Sequence, residues 1–250
     1  MYGAIGSEAR SRRLWLAAQA SAVALVAACG GGGDGETAAA QPSAAPPPAT
    51  LNVYNAYSNL VRQAHTYTLS GSTSQGQQRS ATINIATGMP LSTAYGNRDV
   101  STLTMSLRQG ATLLATNVST SWLQPNTPYL TIQFASIDGS CILRTSGTQL
   151  PTSASLGQSG PFLSGSRYPG CNASDLPLSY WIAVGTVTTT WSYDSTSGFP
   201  ALCINTSIQG FVGTETESDC VEVIDIDGTL GSRVRITTRD LNGVTTTLTN

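Results

Sequence analysis

The sequence has no lysine and a single histidine, and charged residues make up only 10% of its 250 residues. Its 12 basic residues, all arginine, form no basic patch, so nucleic acid is not an expected partner. With one imidazole, any Ser–His–acid site would have to use His65. No G-x-S-x-G occurs, and Gly157-Gln158-Ser159-Gly160 falls one residue short of it. Cys-x-x-Cys pairs are missing too, which counts against zinc. The apolar run Leu14 to Ala28 is broken by Gln19 and Ser21. It is shorter than the about 20 residues that a spanning helix takes.

That run has its own logic. Arg10, Arg12 and Arg13 precede it, and small residues close it at Val26-Ala27-Ala28-Cys29. A basic start, a short apolar core and small residues before a cut describe a secretory signal. With the Cys in place and Gly30-Gly31-Gly32-Gly33 behind it, the stretch resembles the processing site of bacterial lipoproteins. The resemblance implies that residues 1–28 are removed as a signal peptide and that Cys29 receives the lipid. Stable anchoring takes two or more acyl chains, as a triacylated Cys29 would supply. Gly30, with no Asp after the Cys, implies the outer membrane by the sorting rule of that family. The expected membrane contact is therefore this covalent lipid, and no other cofactor is expected. Residues 29–50 are rich in Gly, Ala and Pro and end in Pro46-Pro47-Pro48. They read as a disordered tether that reaches several nanometres at up to ~3.3 Å per residue.

Residues 51–250 carry the fold. Beyond Cys29, the three leading arginines and Glu8, 9 basic residues face 13 acids, a net of −4. Abundant Thr and Ser with little Glu favour strands and turns. Cys141, Cys171, Cys203 and Cys220 are an even set in an exported chain, which reads as two disulfides. Of the three connectivities, Cys141–Cys171 and Cys203–Cys220 are favoured. The second pair joins neighbouring strands, and the first ties down the irregular stretch 147–179.

Leu51 to Gln63 shows helical spacing in Tyr54, Tyr57, Leu60 and Val61, and predicts a short helix over one end or edge of a sheet. After it, period two dominates. Leu103, Met105 and Leu107 alternate with Thr102, Thr104 and Ser106 in the clearest half-buried strand. Other strands are expected at 65–72, 80–86, 111–120, 130–134, 181–193, 201–211, 220–226, 233–239 and 244–249. Asp138-Gly139 marks a hairpin leading to Cys141. At the last hairpin, a two-residue Asn242-Gly243 turn would put the two apolar sets on opposite faces. A three-residue loop, Leu241-Asn242-Gly243, places Ile236 opposite Leu248, with Gly243 in the left-handed position. About ten strands with short turns predict an all-β fold, an antiparallel sandwich or barrel-like meander. It forms either one domain or two sub-domains divided near 147–179.

Reaction centres are hard to find. The acids Glu215, Glu217, Asp219, Glu222, Asp225 and Asp227 cluster late in the chain. Asp225-Ile226-Asp227-Gly228 opens like a calcium loop, but Gly231-Ser232-Arg233 supplies no bidentate Glu. A solvated strand edge and turn explains the same acids. Paired carboxylates for glycoside hydrolysis are another reading of this cluster, but sequence does not fix their separation. Trp122, Tyr180, Trp181, Trp191 and Tyr193 would stack on sugars if exposed together. Trp181 and Trp191 lie about 33 Å apart on a straight strand, so core packing is the expected role. Asn117, Asn172 and Asn205 begin Asn-x-Ser acceptors that have no use in a bacterial lipoprotein. The sequence thus points to a lipid-anchored outer-membrane protein whose β domain binds or builds envelope structure without catalysis. A glycan- or polymer-binding module is the alternative, and a β-sandwich hydrolase a more remote one.

Overall fold

The computed structural model describes residues 48–93, 96–135, 140–169 and 182–250, with backbone only for 131–135. Its elements begin with β1 (Thr50–Leu51), α1 (Val53–Arg62), β2 (His65–Thr73), β3 (Gln78–Thr93), β4 (Gly96–Gln109) and β5 (Thr112–Leu123). Then come β6 (Leu130–Ala135), β7 (Cys141–Gly147), β8 (Ala154–Ser155), β9 (Ser159–Tyr168) and β10 (Gly185–Asp194). The chain ends with β11 (Ala201–Gly210), β12 (Gly213–Val223), β13 (Leu230–Arg239) and β14 (Thr245–Thr249). Strands β2 to β14, without β8, form one up-and-down antiparallel sheet that closes into a barrel where β14 pairs with β2. Closure removes the two free edges that an open sheet would present. Strands β1 and β8 make a separate two-stranded ladder.

Alternation builds the interior. Tyr67 and Leu69 on β2, and Ala81, Ile83 and Ile85 on β3, are buried and connected by register. The same face continues through Val234, Ile236 and Leu248. Across β10 and β11, Trp191 and Tyr193 stand opposite Ile204 and Leu202, all buried. At one end the lumen is filled by α1. Asn52 caps this helix by accepting from the Asn55 N–H at 3.0 Å. Val53, Ala56 and Tyr57 then pack among Phe162, Trp191, Leu202 and Val223. Tyr57 meets Phe162 edge-on at 4.8 Å between centroids. Arg62, in the last turn, pairs with Asp99 at 2.5 Å and donates to the Gln124 carbonyl at 2.8 Å. The predicted helix is therefore a plug at the barrel mouth, and its Tyr54, Leu60 and Val61 are partly buried against the core.

Strand β9, within the stretch 147–179, pairs with β7 on one side and β10 on the other, inside the one closed sheet. One sequence expectation requires correction. The expected strand 220–226 is instead β12, which starts at Gly213 and stops at Val223. Residues 225–229 form a turn, with the Asp225 carboxylate accepting the N–H groups of Asp227 and Thr229. Polar residues hid the first half of β12, because Glu215, Glu217 and Asp219 occupy alternating positions where apolar residues were sought.

The last hairpin forms as the register argument requires. Ile236 is opposite Leu248, and Gly243 has φ +76°. The Asp240 carboxylate accepts from the N–H of Asn242 and of Val244, both at 2.9 Å. Cys203 and Cys220 are register partners on β11 and β12 and are disulfide-bonded. They lie buried with Phe199 and Ala201 on the outer side of the sheet. Cys29, Cys171, Asp138-Gly139, Asn172, Tyr180 and Trp181 lie outside the described residues, and with Cys171 the Cys141–Cys171 pairing.

Candidate functional site

Strand β12 carries the chemistry because its alternation turns acids inward. Val221 is buried in the core, so Asp219, Glu217 and Glu215 share its face. Register confirms the side: Asp219 is opposite Ile204 and Ile236, both buried. One step further from the helix, Glu217 sits in a row of threonines. Thr189, Thr206, Glu217, Thr238, Thr246 and Thr73 are successive partners across six strands. The lumen is thus layered. Around α1 it is apolar, at Asp219 it is mixed, and beyond that it is lined by hydroxyls and a carboxyl.

Glu217 is exposed although it faces inward, and Asp219 and Glu215 are half-buried. Glu217 and Asp219 lie two positions apart on one face of β12. Enclosure by the barrel raises both carboxyls, and the Glu217 charge pushes Asp219 higher still, well above its ordinary range. Asp219 also helps to raise the Tyr57 hydroxyl, after burial as the main cause. The Oδ1 atom of Asp219 has no hydrogen-bond partner. Neither do the Tyr67 hydroxyl and Asn117 Oδ1. Those two residues also face the interior, in the register row Tyr67–Ile83–Met105–Asn117.

The residues singled out from sequence fall into different places. His65 begins β2, contacts the Asn59 carbonyl through Nε2 at 3.0 Å and stacks on Tyr67 at 5.9 Å. Asp225 is engaged by its own turn, and hydrogen bonds from Thr229 hold its carboxyl below the ordinary range. Asp227 lies in the same turn, and no group of three metal-ligating side chains forms among the described residues. Glu222 faces outward and pairs with Arg233, which donates from Nε at 2.8 Å. The acid cluster therefore divides into an inward trio, an outward ion pair and a turn. Trp191 and Tyr193 are core residues, and Trp122 is buried with Cys141 on the other face of the sheet. Sequence reasoning passed over the Thr row and the orphaned Tyr67 and Asn117 atoms. The cue was present in the period-two polar pattern of Gly213 to Asp219.

The outward side is polar. Thr190, Asn205, Ser218 and Thr237 form one cross-strand row. With Thr188, Thr206, Ser207, Thr216 and Glu217 they line an open depression of ≈ 300 Å³. Comparison with protein-family models, with curated proteins and with solved structures returned no match.

Proposed function

We propose that this chain is a lipid-anchored protein of the bacterial outer membrane whose barrel binds an envelope component and catalyses no reaction. The observation that carries the reading is the polarity of the barrel wall. A barrel that spans a membrane turns an apolar band outward. On β10 to β12, Thr, Ser and Asn face outward in register rows, and Trp191, Tyr193, Leu202, Ile204 and Val221 face inward. Such a barrel needs a separate device to stay at a membrane, and the sequence around Cys29 offers one. The described chain enters at the helix end, where the Tyr193 hydroxyl donates to the Pro48 carbonyl at 2.6 Å. The tether would join there. Fractionation tests the anchor: the natural protein partitions with outer membranes and Cys29→Ala does not. Equal partitioning of the two would refute it. Digestion by protease added to intact cells would place the barrel on the outer face, and protection until lysis on the periplasmic face.

The depression supports the narrower reading of a glycan- or polymer-binding module, since rows of hydroxyls, an Asn amide and the Glu217 carboxyl suit a polyol. Retention of the purified protein on isolated cell-wall glycan is the expected result. Absence of retention counts against that version.

A further inference from the structure

We propose that the Phe211-Val212 turn, together with Leu241 of the neighbouring turn, docks on the surface of an anionic lipid bilayer. This contact is separate from the polar depression and does not depend on the anchor.

The placement of apolar residues is the first argument. Gly210 and Gly213 close the β11–β12 hairpin, which leaves Phe211 and Val212 as its two turn residues. Glycine and short polar residues usually hold such positions. Phe211 is 84% exposed and Val212 61%, so neither contributes to the core. Nor does the shape of the turn call for them, since the positive φ falls on Gly213. Leu241, in the β13–β14 turn, is exposed too, and its Cδ2 lies 3.3 Å from where a Cβ on Gly213 would stand. Two adjacent turns thus present three apolar side chains, at the end of the barrel away from α1. A stable protein interface takes about 800 Å² from each partner, more than three side chains on two projecting turns offer. A bilayer makes no such demand, because it closes around whatever projects into it. Apolar groups at a membrane surface sink about 5–10 Å into the boundary between headgroups and acyl chains.

Charge is the second argument. Behind the tips, Arg239, Thr216 and Leu241 share an outward recess of ≈ 320 Å³. Arg239 is opposite Thr216, which lies four positions from Val212, about 13 Å along the strand. The guanidinium reaches back towards the turns, with Nη2 3.7 Å from where a Cβ on Gly243 would stand. It is exposed and forms no ion pair among the described residues. The neighbouring Asp240 spends its carboxylate on the N–H groups of Asn242 and Val244, and Glu215 is on the inward face. With the tips sunk to the acyl boundary, Arg239 comes level with the phosphates, where a long cationic side chain is favoured.

A tryptophan at the tip tests the contact. Phe211→Trp is placed in full-length Cys29→Ala, which has no thiol to acylate, and its fluorescence is read as the difference from Cys29→Ala with Phe211 retained. The probe is vesicles of phosphatidylcholine with about one-third phosphatidylglycerol, brominated on the acyl chains. A blue shift and quenching of the tip tryptophan are expected. Adding Val212→Ser and Leu241→Ser should raise the lipid needed for half quenching at least about tenfold, since two apolar side chains no longer enter. Adding Arg239→Gln instead should raise it about fivefold on these vesicles and leave it unchanged on phosphatidylcholine alone. All substitutions are at exposed positions, and circular dichroism checks that each variant is folded. No quenching overturns the proposal, as does quenching that the serine variant leaves undiminished, or an Arg239→Gln effect of equal size on neutral vesicles. A blue shift that grows with protein concentration in the absence of lipid would assign the tip to a second copy of the chain and also overturn it. Because every arm lacks the thiol of Cys29, failure of the anchor reading and failure of this one are separately visible.

Discussion

Removing the Cys203–Cys220 bridge should cost the barrel about 3 kcal/mol. The two cysteines stand directly opposite on β11 and β12 and are separated by 17 positions in sequence. Cross-linking a loop of this size removes roughly 10 cal/mol/K from the denatured ensemble, about 3 kcal/mol at 25 °C. In the native state the hairpin ladder from Ala201↔Glu222 to Gly210↔Gly213 already fixes the same two positions. The bridge therefore stabilises mainly by constraining the unfolded chain. Cys203 and Cys220 are 2% and 7% exposed beside Phe199 and Ala201. A double change to Ala avoids burying the hydroxyls that Ser would bring. Urea unfolding followed by far-ultraviolet circular dichroism should show the lower stability. It should also show a steeper dependence on urea, because the unlinked denatured chain exposes more surface. A loss below about 1 kcal/mol with an unchanged slope would refute the reasoning. It would mean that the unfolded chain keeps β11 and β12 together without the bridge.

Asp219→Asn should raise the melting temperature at pH 7 and flatten its pH dependence. A carboxyl raised on folding binds protons more tightly in the native state, so stability falls as pH rises from the unfolded value through the raised one. Glu222, lowered by Arg233 against the cost of its partial burial, works in the opposite sense. Its contribution is present above the ordinary carboxylate range and is lost as pH falls through its folded value. Thermal melts from pH 3 to pH 9 should therefore peak at mildly acidic pH, and a monotonic rise to pH 9 would contradict the inward placement of Asp219. Tyr57→Ala should cost about 3–4 kcal/mol, the loss expected for truncating a buried aromatic side chain; a change under 1 kcal/mol in a urea melt would show that α1 is not a plug. Gly243→Ala should cost about 1 kcal/mol, because φ +76° is strained for a residue with a Cβ; chemical denaturation measures it, and an unchanged midpoint would argue against the left-handed turn.

How much of this was legible in the sequence depends on the face that each residue serves. Where an apolar residue faces inward, the period-two signal is strong, as at Leu103, Met105 and Leu107 on β4. The register of β13 and β14 was equally legible, since one turn length alone lets Ile236 and Leu248 share a face. Helix α1 showed in the spacing of Tyr54, Tyr57, Leu60 and Val61. The start of β12 did not show, because the residues on its inward face are acids, and the rule that inward means apolar fails there. Strand β9 was hidden for a related reason. Its register shift against β10 at Thr189/Thr190 breaks the alternation, so the neighbours Phe162 and Leu163 are both buried.

The sequence by itself determined much of the local choice: most strands, the short helix, the face of the regularly alternating apolar residues and the β13–β14 register. These follow from periodicity and turn chemistry, which act over a few neighbouring residues. Only the tertiary structure decided that the sheet closes, that α1 fills one mouth, and that the late acids divide among the lumen, an outward ion pair and a turn. Closure depends on β14 meeting β2 across more than 170 residues, and no local pattern encodes a contact of that range. Once the sheet closes, the side chains at alternate positions of β12 acquire an inside, and Glu217 and Asp219 come to face it.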